Sequence, residues 1–169
     1  MKKVKGTSFI EILVVVAIFA VLGLLVSRVI LVTLRGSNKS EALVKVRENL
    51  DYALAVMERQ IRNANEVLPC TNNPTTQLDY KDQTGKASSF ACITNGSDVY
   101  VASGSARLTN NEVVITSANC LIFTCIRSSG TNQPSVMITL EARDAHATSI
   151  ESAKVSSSTQ IFLRTYGSN

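Results

Sequence analysis

Glu11 stands in an otherwise apolar run, five residues past Gly6 and thirty residues ahead of the next acid, Glu41. A carboxylate inside a bilayer segment costs about 2.5–3.5 kcal/mol on insertion scales, so it normally has a partner and a task. Lys2, Lys3 and Lys5 precede Gly6 and cluster positive charge at the start of the chain. Four cysteines, Cys70, Cys92, Cys120 and Cys125, follow much later, together with a lone histidine, His146. An even number of cysteines in an exported domain favours disulfides over free thiols. A metal site is not expected. Cys120-x4-Cys125 is loose for a zinc knuckle, Cys70 and Cys92 stand alone, and His146 lies in a polar stretch and reads as solvated. The sequence contains no nucleophile–base pair and no phosphate-binding loop. No enzyme activity and no cofactor are expected.

Four cysteines allow three connectivities. Cys70–Cys92 closes a polar loop and forces Cys120–Cys125. That second pair requires a bend within Leu121–Thr124, because a straight strand would hold the two Cα atoms far beyond the 4.4–6.8 Å a disulfide needs. Either crossed pairing ties Cys120 and Cys125 to the earlier segment.

These residues are carried on a long helix and a set of strands. From Phe9 to Val32 the chain is apolar except for Glu11, Ser27 and Arg28. About twenty such residues span a bilayer. No small-residue cleavage site follows the run, so the apolar segment is expected to stay on the mature protein. Arg28 is read as an interfacial residue with its charge held toward water. Leu43, Val46, Leu50, Leu54, Met57, Ile61, Ala64 and Leu68 then recur at spacings of three and four, with charged residues on the other faces. That is an amphipathic helix whose stripe is expected to bury against its own sheet. Glu58 and Arg62 are placed for ordinary i,i+4 support. Pro69 is the expected stop and Gly36-Ser37-Asn38 the soft spot. Thr7 to about Val67 would make a helix roughly 90 Å long.

After Pro69 the period changes to two. Residues 98–102, 112–116, 121–124, 135–140 and 160–164 read as strands, separated by Thr84-Gly85, Asn95-Gly96, Asn110-Asn111 and Ser129-Gly130. Asn95-Gly96 is the best hairpin candidate. Ala142 to Ser158 is polar and reads as a surface loop. The expected fold class is α+β, a long N-terminal helix on a mostly antiparallel sheet. The expected divisions are 1–6, 7–35, 36–68 and a β-rich 69–169.

Charge fits this layout. The chain has a formal charge of +4 and a pI near 9.0. Of its 17 basic and 13 acidic residues, Lys2, Lys3, Lys5, Arg28, Arg35 and Glu11 precede Gly36, which leaves the remainder balanced. The basicity therefore reads as membrane topology, with positive residues on the cytoplasmic side and the rest of the chain translocated. Nucleic acid is not an expected partner.

Gly6-Thr7-Ser8-Phe9-Ile10-Glu11-Ile12-Leu13-Val14-Val15-Val16-Ala17-Ile18 resembles the class III signal of type IV prepilins and type II secretion pseudopilins. That pattern is a short basic leader, a glycine, cleavage, and an apolar helix with Glu at the fifth mature position. It covers about the first thirty residues. Met57-Glu58-Arg59-Gln60-Ile61-Arg62-Asn63-Ala64 is similar to the end of the long helix in minor pseudopilin-like members. Two residues depart from the pattern. Thr7 stands where the family usually has Phe, and Arg28 where many major pilins have a kinking Pro, which points toward a minor pilin or pseudopilin.

The resemblance implies a pilin-like fold, cleavage between Gly6 and Thr7 by prepilin peptidase, and N-methylation of Thr7. It makes residues 1–6 the cleaved leader, 7–35 the transmembrane and assembly helix, and 36–68 its amphipathic continuation. The expected partners are the peptidase, the membrane, other pilin or pseudopilin subunits and an inner-membrane assembly platform. The expected function is that of a structural subunit assembled into a type IV pilus or a type II secretion pseudopilus. The implied location is a single-pass inner-membrane protein with an extracytoplasmic domain, later part of a surface filament. The alternative is a membrane-tethered extracytoplasmic module that binds a surface or takes up DNA at a filament tip.

Overall fold

In the computed structural model the described residues are 8–68, 72–126, 133–146 and 154–163. The first element, α1, runs Phe9–Arg62. The chain divides into two units, Met1–Lys39 and Ser40–Asn169.

In the first unit, α1 begins where the Ser8 carbonyl accepts the N–H groups of Glu11 and Ile12 at 2.9 and 3.3 Å. No apolar side chain here finds a core. The large ones from Phe9 to Leu34 are between 45% and 80% exposed. A helix that is apolar on every side buries itself in another molecule or in lipid. Among the described residues this helix is the one long and apolar enough to cross a membrane.

In the second unit, α1 is one-sided. Val46, Leu50, Ala53, Leu54, Met57 and Ile61 are buried, at helical spacings of three and four. They pack on two antiparallel sheets. Sheet A holds β1 (Glu66–Leu68), β2 (Gln77–Lys81), β3 (Ala87–Asn95), β4 (Asp98–Ser103) and β5 (Ala106–Arg107), in that order. Sheet B holds β6 (Val113–Ile115), β7 (Phe123–Ile126), β8 (Ser135–Asp144) and β9 (Lys154–Phe162). β9 pairs with β8 from Ser135 to Arg143. β7 and β6 share the opposite edge of β8, the first along Ser135–Ile138 and the second along Ala142–Asp144. Helix and both sheets close one core, centred on Phe90, Phe123, Leu50, Met57, Ile138 and Leu140. The α+β expectation holds, with two sheets in place of one.

Local chemistry explains the turns. Gly96, at φ +61°, is the first residue of a two-residue loop that pairs Asn95 with Asp98. Glycine adopts that conformation without a Cβ clash. Gly85, at φ +82°, completes the β2–β3 turn. There Asp82 Oδ1 accepts the backbone N–H of Thr84 at 2.8 Å and of Lys86 at 3.0 Å, and the Thr84 hydroxyl at 2.6 Å. The Thr84 hydroxyl foremost holds the Asp82 carboxyl below its ordinary 3.8.

Several sequence expectations need correction. The helix ends at Arg62, short of residue 68. Beyond it Asn63-Ala64-Asn65 supplies two poor helix formers. Asn65 N–H donates instead to the Lys81 carbonyl, and Glu66 pairs with Lys81 across β1 and β2. Leu68 therefore leaves the helical stripe, 43% exposed on β1, while Val67 turns inward. β7 starts at Phe123, two residues later than expected, because Ala118–Cys120 is a 3-10 turn. Within the expected loop at 142–158, β8 runs on to Asp144 and β9 begins at Lys154. Val155 and Ile161 anchor β9 to the core, so its serines need only alternate between the two faces. β9 itself ends at Phe162, and residues 164–169 lie outside the described set. The expected strands at 98–102, 112–116 and 135–140 are present as β4, β6 and β8.

The structure chooses among the disulfide pairings the sequence left open. Cys92 of β3 is bonded to Cys120 of the 3-10 turn, with Cα atoms 5.7 Å apart. This excludes Cys70–Cys92 with Cys120–Cys125. Cys125 faces the core on β7, and Cys120 is turned toward β3. The turn is made by Asn119 at φ 53° and Cys120 at φ 58°. Left-handed backbone at non-glycine residues costs of order 1–3 kcal/mol each, so the surroundings must hold it. Here Cys120 N–H donates to Ser117 and Leu121 N–H to Ala118. Cys125 is disulfide-bonded as well, and Cys70 lies outside the described residues.

Candidate functional site

The N-terminal segment presents Glu11 in the first turn of α1. A carboxylate there meets the positive end of the helix dipole, a favourable arrangement worth about 0.3–1 kcal/mol. Its neighbours Phe9, Ile10, Ile12 and Leu13 are 80%, 69%, 53% and 55% exposed. Glu11 has no ion-pair partner among the described residues. Lys2, Lys3, Lys5, Gly6 and Thr7, named from the sequence as leader charge and cleavage site, lie outside the described residues.

Further along, two hydroxyls of the same helix are satisfied internally. The Ser27 hydroxyl donates to the Gly23 carbonyl at 2.8 Å and the Thr33 hydroxyl to the Val29 carbonyl at 2.9 Å. Such back-bonding lets a hydroxyl sit on an apolar helix without an unpaired donor. A Cβ added at Gly23 or Gly36 would meet nothing within 4 Å, so neither glycine serves close packing within this chain. The residues at Gly36-Ser37-Asn38 are helical.

In the second unit the charged side chains mostly brace the fold. Arg107 spends every guanidinium nitrogen. Nη1 and Nη2 grip the Asp98 carboxylate at 2.7 and 2.9 Å, Nε donates to the Thr109 carbonyl at 2.6 Å, and Nη2 also reaches the Asn110 carbonyl at 3.0 Å. The guanidinium carbon lies 4.3 Å from the centre of the Tyr100 ring. On sheet B, Glu141 accepts Lys154 Nζ at 2.8 Å and the Thr116 hydroxyl at 3.0 Å. Lys154 first, then Thr116, draws its carboxyl below the ordinary 4.5. Glu58 and Arg62 form the expected i,i+4 ion pair, and Lys45 pairs with Glu41 at 3.2 Å. His146 is exposed, with its backbone N–H donating to Asp144 Oδ1.

An open cleft of about 380 Å³, lined by polar residues, has no counterpart among the sequence expectations. One wall is the end of α1 with Arg59 and Gln60 and the residue just past it, Asn63, and the other is the β2–β3 turn with Asp82, Gln83 and Thr84 and the start of β3 with Ser88. At its floor the Tyr80 hydroxyl and the Gln60 side-chain carbonyl are hydrogen-bonded, and the Tyr80 ring stacks on Phe90 with centroids 5.2 Å apart. Twenty residues separate Gln60 from Tyr80, so no local pattern announces the cleft. Among the described residues, no group of three or more His, Cys, Asp or Glu side chains could hold a metal ion.

Compared with protein-family models, with curated proteins and with solved structures, the chain matches none.

Proposed function

We propose that the protein is a filament subunit of the type IV pilin and pseudopilin kind, a minor pilin or pseudopilin, cut after Gly6 and assembled through its N-terminal helix. In this reading the lysines hold residues 1–6 in the cytoplasm, residues 7–35 cross the inner membrane, and the disulfide-bonded domain lies outside it. Prepilin peptidase cuts the leader, and Thr7 becomes the N-terminal residue and the site of N-methylation. An assembly platform then passes the subunit into a pilus or pseudopilus beside other subunits. The protein serves as substrate and building block, with no catalysis of its own and no cofactor.

The observation that carries the reading is Glu11, an acid without a described partner on the stretch of α1, residues 9–34, whose large apolar side chains are all exposed. Cleavage would create a cation at the Thr7 amine. Pairing that amine with Glu11 of a neighbouring subunit removes two charges from an apolar bundle and sets axial register, because a one-turn slip strands both. Removing one member of a buried pair typically costs about 3–5 kcal/mol.

Glu11→Ala tests this in cells that express the peptidase and assemble filaments. The variant is expected to be processed normally and to be missing from sheared filaments. Incorporation equal to the native protein overturns the proposed role of Glu11.

A further inference from the structure

The residues at the end of α1 divide by what they touch. Met57 and Ile61 enter the core, Gln60 holds Tyr80, and Arg62 pairs with Glu58. The side chains of Arg59 and Asn63 have no partner among the described residues, and both line the cleft opposite the β2–β3 turn. Gln83, across the gap, has an equally unoccupied side chain. The turn that carries it is held in shape by Asp82.

We infer that this cleft binds a carboxylate-bearing sugar, with Arg59 receiving the carboxylate and Asn63 and Gln83 the ring hydroxyls. The volume, about 380 Å³, lies in the range of small-molecule sites, about 300–1,000 Å³. A guanidinium is a planar fork that takes a carboxylate through two parallel hydrogen bonds. Amide side chains offer a donor and an acceptor side by side, which matches neighbouring hydroxyls. The Tyr80 ring is 5% exposed and engaged with Phe90, so it provides no stacking platform for a neutral sugar. Charge, not ring stacking, therefore selects the ligand. Asp82 lines the same cleft as an anion, its Oδ1 held by its own backbone and Thr84, so it repels a carboxylate and the Arg59 fork has to outweigh it. The inference concerns the second unit alone and does not depend on Glu11 or on leader processing.

The test is calorimetric titration of the full-length protein in detergent micelles with a galacturonic acid trisaccharide. Saturable binding that weakens as salt is raised is expected. Arg59→Gln should weaken it by about tenfold or more, since a charge-assisted fork is among the stronger polar contacts. Arg59→Lys should fall between, and Asn63→Ala should weaken it with unchanged salt dependence. Arg47→Gln, remote from the cleft, should bind as the native protein does. Arg59 and Asn63 are exposed, so unfolding midpoints of their variants should match the native value. Absence of saturable binding, equal binding by Arg59→Gln, or equal binding of a neutral galactose trisaccharide overturns the inference. A triglutamate peptide that binds as tightly as the uronate overturns it in favour of an acidic peptide.

Discussion

Cys92 and Cys120 lie 28 residues apart in sequence with their Cα atoms at 5.7 Å, and their bond ties a central strand of sheet A to the turn between β6 and β7 of sheet B. Both are nearly buried, at 9% and 6% exposure. The bond joins the two halves of a core that a single helix covers, and it holds Cys120 in a left-handed conformation the residue would not choose alone.

The paired change Cys92→Ser with Cys120→Ser should therefore destabilise the second unit. Closing a loop of this length is worth about 3–4 kcal/mol in the chain-entropy account. Denaturant unfolding of the full-length protein under non-oxidising and oxidising conditions measures it. Peptide mapping of the native protein should recover Cys92 linked to Cys120, and recovery of Cys70 linked to Cys92 would contradict the pairing.

The stripe on α1 predicts a sharp contrast between neighbouring helix positions. Leu50→Ala and Met57→Ala remove side chains with no exposed surface, and each should cost about 2–5 kcal/mol. Val44→Ala removes one that is 52% exposed and should stay within about 0.5 kcal/mol of native. Similar losses at all three positions would mean that the helix buries a different face.

Acid should weaken the fold through two carboxylates. Asp82 and Glu141 both titrate below their ordinary values in the folded protein, so the folded state favours their charged forms. Their stabilisation is present above the ordinary range, near 3.8 and 4.5, and is lost as pH falls through the lowered values. Lys45 works in the opposite sense. Its hydrogen bond to Glu41 raises it above 10.5, so its contribution holds below that value and is lost at higher pH. The unfolding midpoint should thus fall in acid and in strong alkali. Glu141→Gln should make the acid limb shallower, and an unchanged acid limb would remove Glu141 from the cause.

How much of this was legible depended on how local each signal is. The stripe from Val46 to Ile61 repeats at helical spacing, so the sequence alone identifies it. Val113-Val114-Ile115 and Val136-Met137-Ile138 announce strands through β-branched and apolar residues. β3 does not, because Ala87-Ser88-Ser89 opens it with small polar residues and its place is set by pairing with β2 and β4. The serines of β9 were hidden for the same reason, since they are strand residues through their pairing with β8. Glu11 stands out in the sequence because it interrupts a contiguous apolar run five residues after a glycine. The cleft was not legible, since Arg59 and Gln83 come to line one opening only after the helix end and the β2–β3 turn have been brought together by the core. The disulfide stayed open among three pairings until the left-handed turn at Asn119 and Cys120 was visible.

The most direct test of the central claim is the intact mass of the protein produced together with an active prepilin peptidase. A chain beginning at Thr7, having lost residues 1–6, is the predicted result, and Gly6 replaced by a bulky residue should retain them while still inserting in the membrane. A chain that keeps Met1 in the presence of active peptidase would contradict the assignment as a processed filament subunit.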